Sequence, residues 1–357
     1  MEPDRLRAVL ARTPGLESRH LMDAVGATTP GLNADLLEAL LRLDLPRRAR
    51  DWLTYPDQRL IDADLRSMEA NCDHVLCCLD PGHPQVAGVP ATLYVRGSPR
   101  PLARPALCMV GAPHASAAGT ATARQFALEL SGAGLSIMTG LADGIDAAAQ
   151  EGALASGAGG IGICAAALDC IHPAGNARLA GRISAAGCLV SLFPPGTPPR
   201  RYHFPLRNRL LAALATGVLA VEANDGGGAL RVAELARELR RPLFAVPGSI
   251  RDPHSRACNQ LIRGGASLVQ QPGDLLQDLN FPKIQQVSGT LPRHPQASPL
   301  DNKYEMLLDA AGFEPVDIDV LASRTGWPGH AVASMLLVLE LQGRVAPQPG
   351  GRYCRLS

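Results

Sequence analysis

From Leu107 onward the chain alternates short, wholly apolar runs with longer stretches of helical periodicity. The apolar runs at Leu107–Gly111, Ser136–Gly140, Gly160–Cys164, Cys188–Phe193, Gly217–Ala223 and Pro242–Val246 predict six strands. Between them, Ala123, Phe126, Ala127 and Leu130 make one buried helical stripe, and Ile145 through Leu154 make another. Strands with no polar alternation are buried on both faces. The pattern therefore predicts an α/β fold, a Rossmann-like, doubly wound, mostly parallel sheet covered by helices. Upstream, residues 1–70 read as a small helical domain, in which Asn33 caps a helix burying Leu36, Leu37, Leu40 and Leu41. Gly26 and the turn Thr28–Gly31 also allow a SAM or helix–hairpin–helix reading of that domain. Residues 75–105, rich in Pro and Gly with a strand around Ala91–Arg96, lead into the sheet, so 75–282 is taken as one Rossmann-like domain. The polar, proline-bearing stretch 283–300 is a linker. Residues 301–357 predict a winged helix of three helices and a hairpin. In it Val332, Met335, Leu336 and Leu339 form a strict stripe, Gly326–Gly329 a helix–helix turn, and Pro349-Gly350-Gly351 the hairpin turn.

One stretch breaks the rule that buried faces are apolar. Phe204-Pro205-Leu206-Arg207-Asn208-Arg209 runs on into Leu210–Leu214, with Pro205 suited to a first helical turn. Helical spacing aligns Arg207 with Leu210, Leu211 and Leu214. A cation on a buried face at the positive end of a helix is disfavoured unless an anion or a carboxylate sits there. Arg200 and Arg201 lie just upstream, and residues 200–209 contain no acid. The strand that follows should carry this helix start to the carboxyl edge of the sheet, where ligands of such folds bind. The stretch thus reads as a phosphate site, or else as a capped helix whose arginines pair with distant carboxylates. The turns after the other strands are Gly111–Gly119, Gly140–Asp146, Leu168–Asn176 and Asn224–Gly228, and their glycines let backbone amides approach a ligand. None matches GxGxxG after a strand or a Walker A lysine, which argues against a dinucleotide enzyme or an NTPase.

Composition narrows the partners. A net charge of +1 over 357 residues announces no polyanion globally. Between Gly196 and Arg263, however, eleven arginines face five acidic residues. Only Lys283 and Lys303 are lysines; arginine suits bidentate phosphate contacts, and a GC-rich coding bias gives the same excess. Nine cysteines without a CxxC spacing fit a reducing cytoplasm. No leader-like or membrane-spanning apolar run is present, so a cytoplasmic location with no membrane contact is expected. No catalytic site emerges. His172 and His203 have no nucleophile at a motif spacing, and Asp143 and Asp146 read better as caps of the next helix than as an acid/base pair. No metal-ligand spacing and no cofactor motif is found. The recognition-helix candidate His330–Gln342 has almost no basic residues, so protein contact or packing suits it as well as a DNA groove.

Six segments in order resemble the DprA/Smf family, the DNA-processing proteins of natural transformation. They are 140–146 (Gly-Leu-Ala-Asp-Gly-Ile-Asp), 168–176 (Leu-Asp-x-x-His-Pro-x-x-Asn), 204–209 (Phe-Pro-x-Arg-Asn-Arg), 221–223 (Val-Glu-Ala), 244–248 (Phe-Ala-Val-Pro-Gly) and 258–266 (Cys-Asn-Gln-Leu-Ile-x-x-Gly-Ala). The resemblance is close over about 107–270, and the flanking domains are similar to the family's optional ones. It implies a homodimer, not an enzyme, that binds single-stranded DNA, protects it and helps load the RecA recombinase. By position it implies that Arg207, Asn208 and Arg209 line the DNA groove, with Gly111, Pro173 and Asn176 at neighbouring turns; Arg200 and Arg201 join them from the charge pattern. Several turns depart from the family. Ala112-Pro113 replace a serine and an arginine, Asp143 stands for an arginine, and Gln150 for a histidine. Leu192 stands for a glutamate, and Gly226–Ala233 lacks the usual hydroxyls. Each lost charged hydrogen bond is worth about 1.5–3 kcal/mol, so weaker anion binding is expected. The alternatives are a nucleotide-processing enzyme of the LOG type, to which Gly226–Gly228 bears a faint likeness, and an eroded member that serves as a protein scaffold.

Overall fold

The computed structural model describes residues 2–26, 32–281, 302–348 and 350–356; the turn at 28–31, the linker at 283–300 and Pro349 lie outside these residues. Two compact units result, Met1–His114 with Ala123–Pro282, and Ala115–Thr122 with Lys283–Ser357.

The first unit opens with helices α1 (Pro3–Ala11), α2 (Ser18–Gly26), α3 (Ala34–Arg42), α4 (Arg47–Thr54) and α5 (Gln58–Asn71). The Asn33 side chain caps α3 by accepting from Leu36 N–H at 3.0 Å, as its sequence predicts. A hairpin, β1 (Asp73–Cys77) and β2 (Thr92–Gly97), follows. Leu6, Leu10, Leu36 and Leu40 share one core with Val75, Tyr94 and Leu189 of the hairpin and sheet. The Arg12 guanidinium forks onto Asp64 and Arg7 reaches Asp80 at 2.7 Å, tying α1 to α5 and to the end of β1. The boundary near residue 70 is therefore a change of composition and not a break in packing.

The sheet continues through β3 (Ala106–Val110), α6 (Ala117–Gly132), β4 (Ser136–Thr139), α7 (Ile145–Ala155), β5 (Gly160–Cys164), α8 (Ala177–Ala186) and β6 (Cys188–Ser191). Next come α9 (His203–Leu214), β7 (Gly217–Ala220), α10 (Gly228–Glu238), β8 (Leu243–Ala245), α11 (Arg256–Arg263), β9 (Ser267–Leu268) and α12 (Pro272–Asp278). The strand order is β1-β2-β6-β5-β4-β3-β7-β8-β9, antiparallel at β1/β2 and β2/β6 and parallel elsewhere. All six predicted strands form, and β3 to β7 are buried along their whole length. β5 ends at Cys164 as predicted, and the other carboxyl ends stop one to three residues early, because the terminal residues already belong to the turns. β1 and β9 are the additions. The chain reverses direction across the sheet between β6 and β7, so β3 and β7 are neighbours and a switch point lies between them. Helix α9 makes that crossover, packing Leu210, Leu211 and Ala213 into the sheet core.

The second unit carries α13 (Asn302–Ala311), β10 (Val316–Asp317), α14 (Ile318–Thr325), α15 (Gly329–Leu341), β11 (Val345–Gln348) and β12 (Arg352–Arg355). Its sheet order is β10-β12-β11. This is the winged-helix arrangement. Gly326 ends α14 at φ +72°, a left-handed cap that glycine adopts without strain. Val332, Leu336 and Leu339 are fully buried, with Met335 packed beside them. Leu337 and Leu341 stand exposed on α15 in place of basic side chains.

Candidate functional site

Helix α9 starts two residues before Pro205, at His203, which leaves Pro205 inside the first turn. His203 fixes this start. Its Nδ1 lies 3.0 Å from the Ala165 carbonyl just beyond β5, and its ring stacks on Phe193 at 3.8 Å. Tyr202 meets the other side of His203 edge-on at 4.5 Å. The exposed face of the helix then follows the i, i+3, i+4, i+7 spacing as Tyr202, Pro205, Leu206 and Arg209. Tyr202 is 60% exposed. Arg200, Arg201 and Arg209 are exposed and meet no carboxylate among the described residues. In the adjacent turn the Asp169 carboxylate accepts the Gly196 N–H at 3.0 and 3.1 Å. The start of α9 at the carboxyl edge thus presents three exposed guanidiniums with no carboxylate partner among the described residues, together with an exposed aromatic ring.

Arg207 does something else. Its Nη1 donates to the Gly140 carbonyl at 2.8 Å, and Nε and Nη2 both donate to Asn208 Oδ1, at 3.2 and 2.9 Å. The guanidinium also lies 5.2 Å from the Phe204 ring centroid, and Phe204 meets His172 edge-on. Gly140 is glycine for this reason, since a Cβ there would come within 2.7 Å of the guanidinium carbon. Burial lowers the Arg207 pKa, and the Asp146 carboxylate, which acts on the guanidinium through space, opposes that shift only in part. Asp146 is not the helix cap expected from sequence: Gly144 occupies the N-cap of α7, with no side-chain bond. Asp146 sits in the first turn and accepts the Gly140 and Ala142 N–H groups at 2.9 and 3.2 Å, so it closes the β4–α7 turn. Asp143 is exposed and forms no acid/base pair with it.

Burial pushes the Asp146 pKa up to about 6, against Arg207 and the two amides, which lower it. The folded value exceeds the unfolded one, so ionisation weakens the fold. The cost is absent below about pH 4, grows to about pH 6 and is complete above it, reaching on the order of 3 kcal/mol for a shift of about two units. In Asp146→Asn, whose amide oxygen can still accept both N–H groups, urea unfolding should show this pH 4–7 decline flattened by a similar amount. An identical decline in both proteins would refute the assignment.

The other residues singled out by sequence divide in the same way. Gly111 is set by packing, since a Cβ would strike Ile145 and come within 2.7 Å of the Glu222 carbonyl. Ala112 N–H donates to that carbonyl at 2.6 Å, so this turn amide is directed inward. Pro173 follows a cis peptide bond and opens the short turn Ala174–Asn176. Asn176 is buried, and its Nδ2 donates to the Leu141 carbonyl at 3.0 Å. Asn208 is buried beneath Arg207. The structure therefore brings Arg200, Arg201 and Arg209 to one surface, and uses Arg207, Asn208, Asn176 and Gly111 to build the wall behind it. Sequence reasoning passed over Tyr202, and took His172 only as a catalytic candidate and Phe204 only as part of the arginine stretch, not as aromatic groups of the site. Their signal was the interleaving of Tyr202 and Phe204 with Arg200, Arg201 and Arg207.

Among the described residues no group of side chains could hold a metal ion, and no helix is long and apolar enough to cross a membrane. A family model described as DNA recombination-mediator protein A matches residues 76–280, and a DprA winged helix domain model matches 291–351. Protein Smf of Escherichia coli is 36% identical over 345 residues, covering 94% of this chain and 88% of that protein. DNA processing protein DprA of Streptococcus pneumoniae is 36% identical over 197 residues, 55% of this chain and 70% of that one. The X-ray structure of the Streptococcus pneumoniae protein matches at a TM-score of 0.65 and 28% identity, over 78% of this chain and 99% of that chain. A structure of DNA processing protein A from Helicobacter pylori, described as showing its single-stranded DNA binding mode, matches at 0.53 and 26% identity. It covers 58% of this chain and 95% of its own.

Proposed function

Since this chain belongs to the DNA recombination-mediator protein A, or DprA/Smf, family, we propose that it binds single-stranded DNA as a non-catalytic cytoplasmic homodimer in natural transformation. It protects the incoming strand and helps load the RecA recombinase onto it. The observation that carries the reading is the start of α9 at the carboxyl edge, where Arg200, Arg201, Arg209 and the Tyr202 ring are all exposed and the arginines meet no carboxylate among the described residues. Guanidiniums that track phosphates beside a ring that stacks a base form a sequence-tolerant single-strand site. A base paired in a duplex offers no face to such a ring, which gives the preference for single strands.

The inward use of Arg207, Asn176 and the Ala112 amide favours a second reading, a family member whose DNA grip is reduced and which serves mainly as a scaffold. Fluorescence anisotropy decides between them, with an unstructured single strand and a duplex of the same length titrated across salt. The first reading expects tighter single-strand binding and a log–log salt slope of about −2, from about 0.7 for each of three phosphate contacts. Absence of binding at low salt by a folded protein would leave the scaffold reading.

A further inference from the structure

The arginine excess between Gly196 and Arg263 does not collect at one place. Arg200, Arg201, Arg207 and Arg209 follow β6 at the carboxyl edge of the parallel strands, whereas Arg237, Arg240 and Arg241 precede β8 at the amino edge. These three line a cleft of about 490 Å³ together with Phe244, Ser267 and Asp278. None of them forms an ion pair among the described residues, and neither does the exposed Asp278. The lining thus carries two positive charges in excess.

The backbone makes the arrangement unusual. Arg241 N–H donates to the Ala236 carbonyl at 2.8 Å and Arg240 N–H to the Arg237 carbonyl at 3.0 Å, the two bonds of a Schellman helix end. Such an end places one residue in the left-handed region, and glycine is the usual occupant. Here it is Arg240, at φ +55°, and its side chain has no partner among the described residues. The helix dipole favours a cation in the last turn, which accounts for Arg237, but the effect does not extend to the residues beyond. Arg241 spends one donor on the Ala213 carbonyl at 2.9 Å, while its Nε is buried with no acceptor. Arg237 Nη2 reaches the Gly264 carbonyl at 3.3 Å. Two guanidiniums anchored by one donor each, and a third without a partner among the described residues, leave donors free in the cleft, a preset receptor for a compact oxyanion.

We propose that this cleft is a second anion site, on the opposite edge of the sheet from Tyr202, taking a phosphate group either as free phosphate or as part of a nucleic-acid backbone. The test compares the full-length chain with Arg237→Ala/Arg240→Ala, which leaves Arg241 on Ala213. Inorganic phosphate at tens of millimolar, against chloride at equal ionic strength, should raise the melting midpoint of the intact chain by about 1–3 °C. The variant should lose most of that rise, Arg237→Lys/Arg240→Lys should keep part of it, and Arg200→Ala/Arg201→Ala/Arg209→Ala should keep the share that the Arg237/Arg240 variant loses. That last protein separates this site from the proposed DNA surface, since any phosphate held by Arg200, Arg201 and Arg209 adds to the rise independently. An equal rise in the intact chain and the Arg237/Arg240 variant, or none in either, would overturn the proposal. With the site established, oligothymidylates identify the source. About tenfold weaker binding of a long strand, with a short strand unaffected, assigns the nucleic-acid backbone; unchanged binding of both assigns free phosphate.

Discussion

Arg207→Ala should lower the unfolding free energy by about 3–5 kcal/mol, because it removes three hydrogen bonds from a charged donor, each worth about 1.5–3 kcal/mol at most, and takes away the charge that acts on Asp146 through space. The side chain donates three hydrogen bonds, to the Gly140 carbonyl and twice to Asn208, and no other described donor is placed to replace them. It also holds the Asp146 carboxyl below the value that burial alone would set. Without it the folded-state pKa of Asp146 rises further above the unfolded one, so the electrostatic part of the loss belongs to the ionised form. Urea titrations of both proteins should therefore show a larger deficit at pH 8 than at pH 5, where the carboxyl is mostly protonated in each. Arg207→Lys keeps the charge but not the three-way donor geometry, and should recover only the pH-dependent part. A pH-independent loss of under about 0.5 kcal/mol, the size of an ordinary surface change, would show that Arg207 acts at the surface after all.

The sequence announced a problem at Arg207 and two solutions for it. A cation aligned with Leu210, Leu211 and Leu214 needs an anion or a carboxylate, and nothing local says which. The carboxylate that answers it comes from a turn about sixty residues upstream, a pairing that only the parallel register of β3, β4 and β5 creates. Periodicity is local, and so the strands and helix stripes were legible from it. The hairpin strand β1 was not, because its run Asp73–Cys77 is short and half-polar and becomes a strand only by pairing with β2. Likewise, the burial of Asn176 and Asn208 follows from the carbonyl and guanidinium brought to them by other elements. Polar residues of this kind cannot be told from ligand contacts by spacing. The exposed face of α9 was readable in principle, since Tyr202, Leu206 and Arg209 follow helical spacing outward as plainly as the leucines do inward.

Because the exposed arginines touch nothing that holds the fold, their removal separates binding from stability. Arg200→Ala/Arg201→Ala/Arg209→Ala should change the unfolding free energy by less than about 0.5 kcal/mol per site. It should reduce the single-strand salt slope by about 2 units, from about 0.7 for each lost phosphate contact. The corresponding fall in affinity at low salt should exceed a hundredfold, at about 1.5–3 kcal/mol for each charged hydrogen bond lost. Tyr202→Ala should act differently. Losing a stacked base costs about 1–3 kcal/mol of binding with no counterion released, so affinity drops while the salt slope stays where it was. Tyr202→Phe keeps the π-face and should bind like the parent. The two kinds of variant thus move two independent readouts of one anisotropy titration. If the triple arginine variant binds as the parent does while a folded Arg207→Lys does not, phosphate is held in the inner wall, and the exposed face of α9 is not the DNA surface.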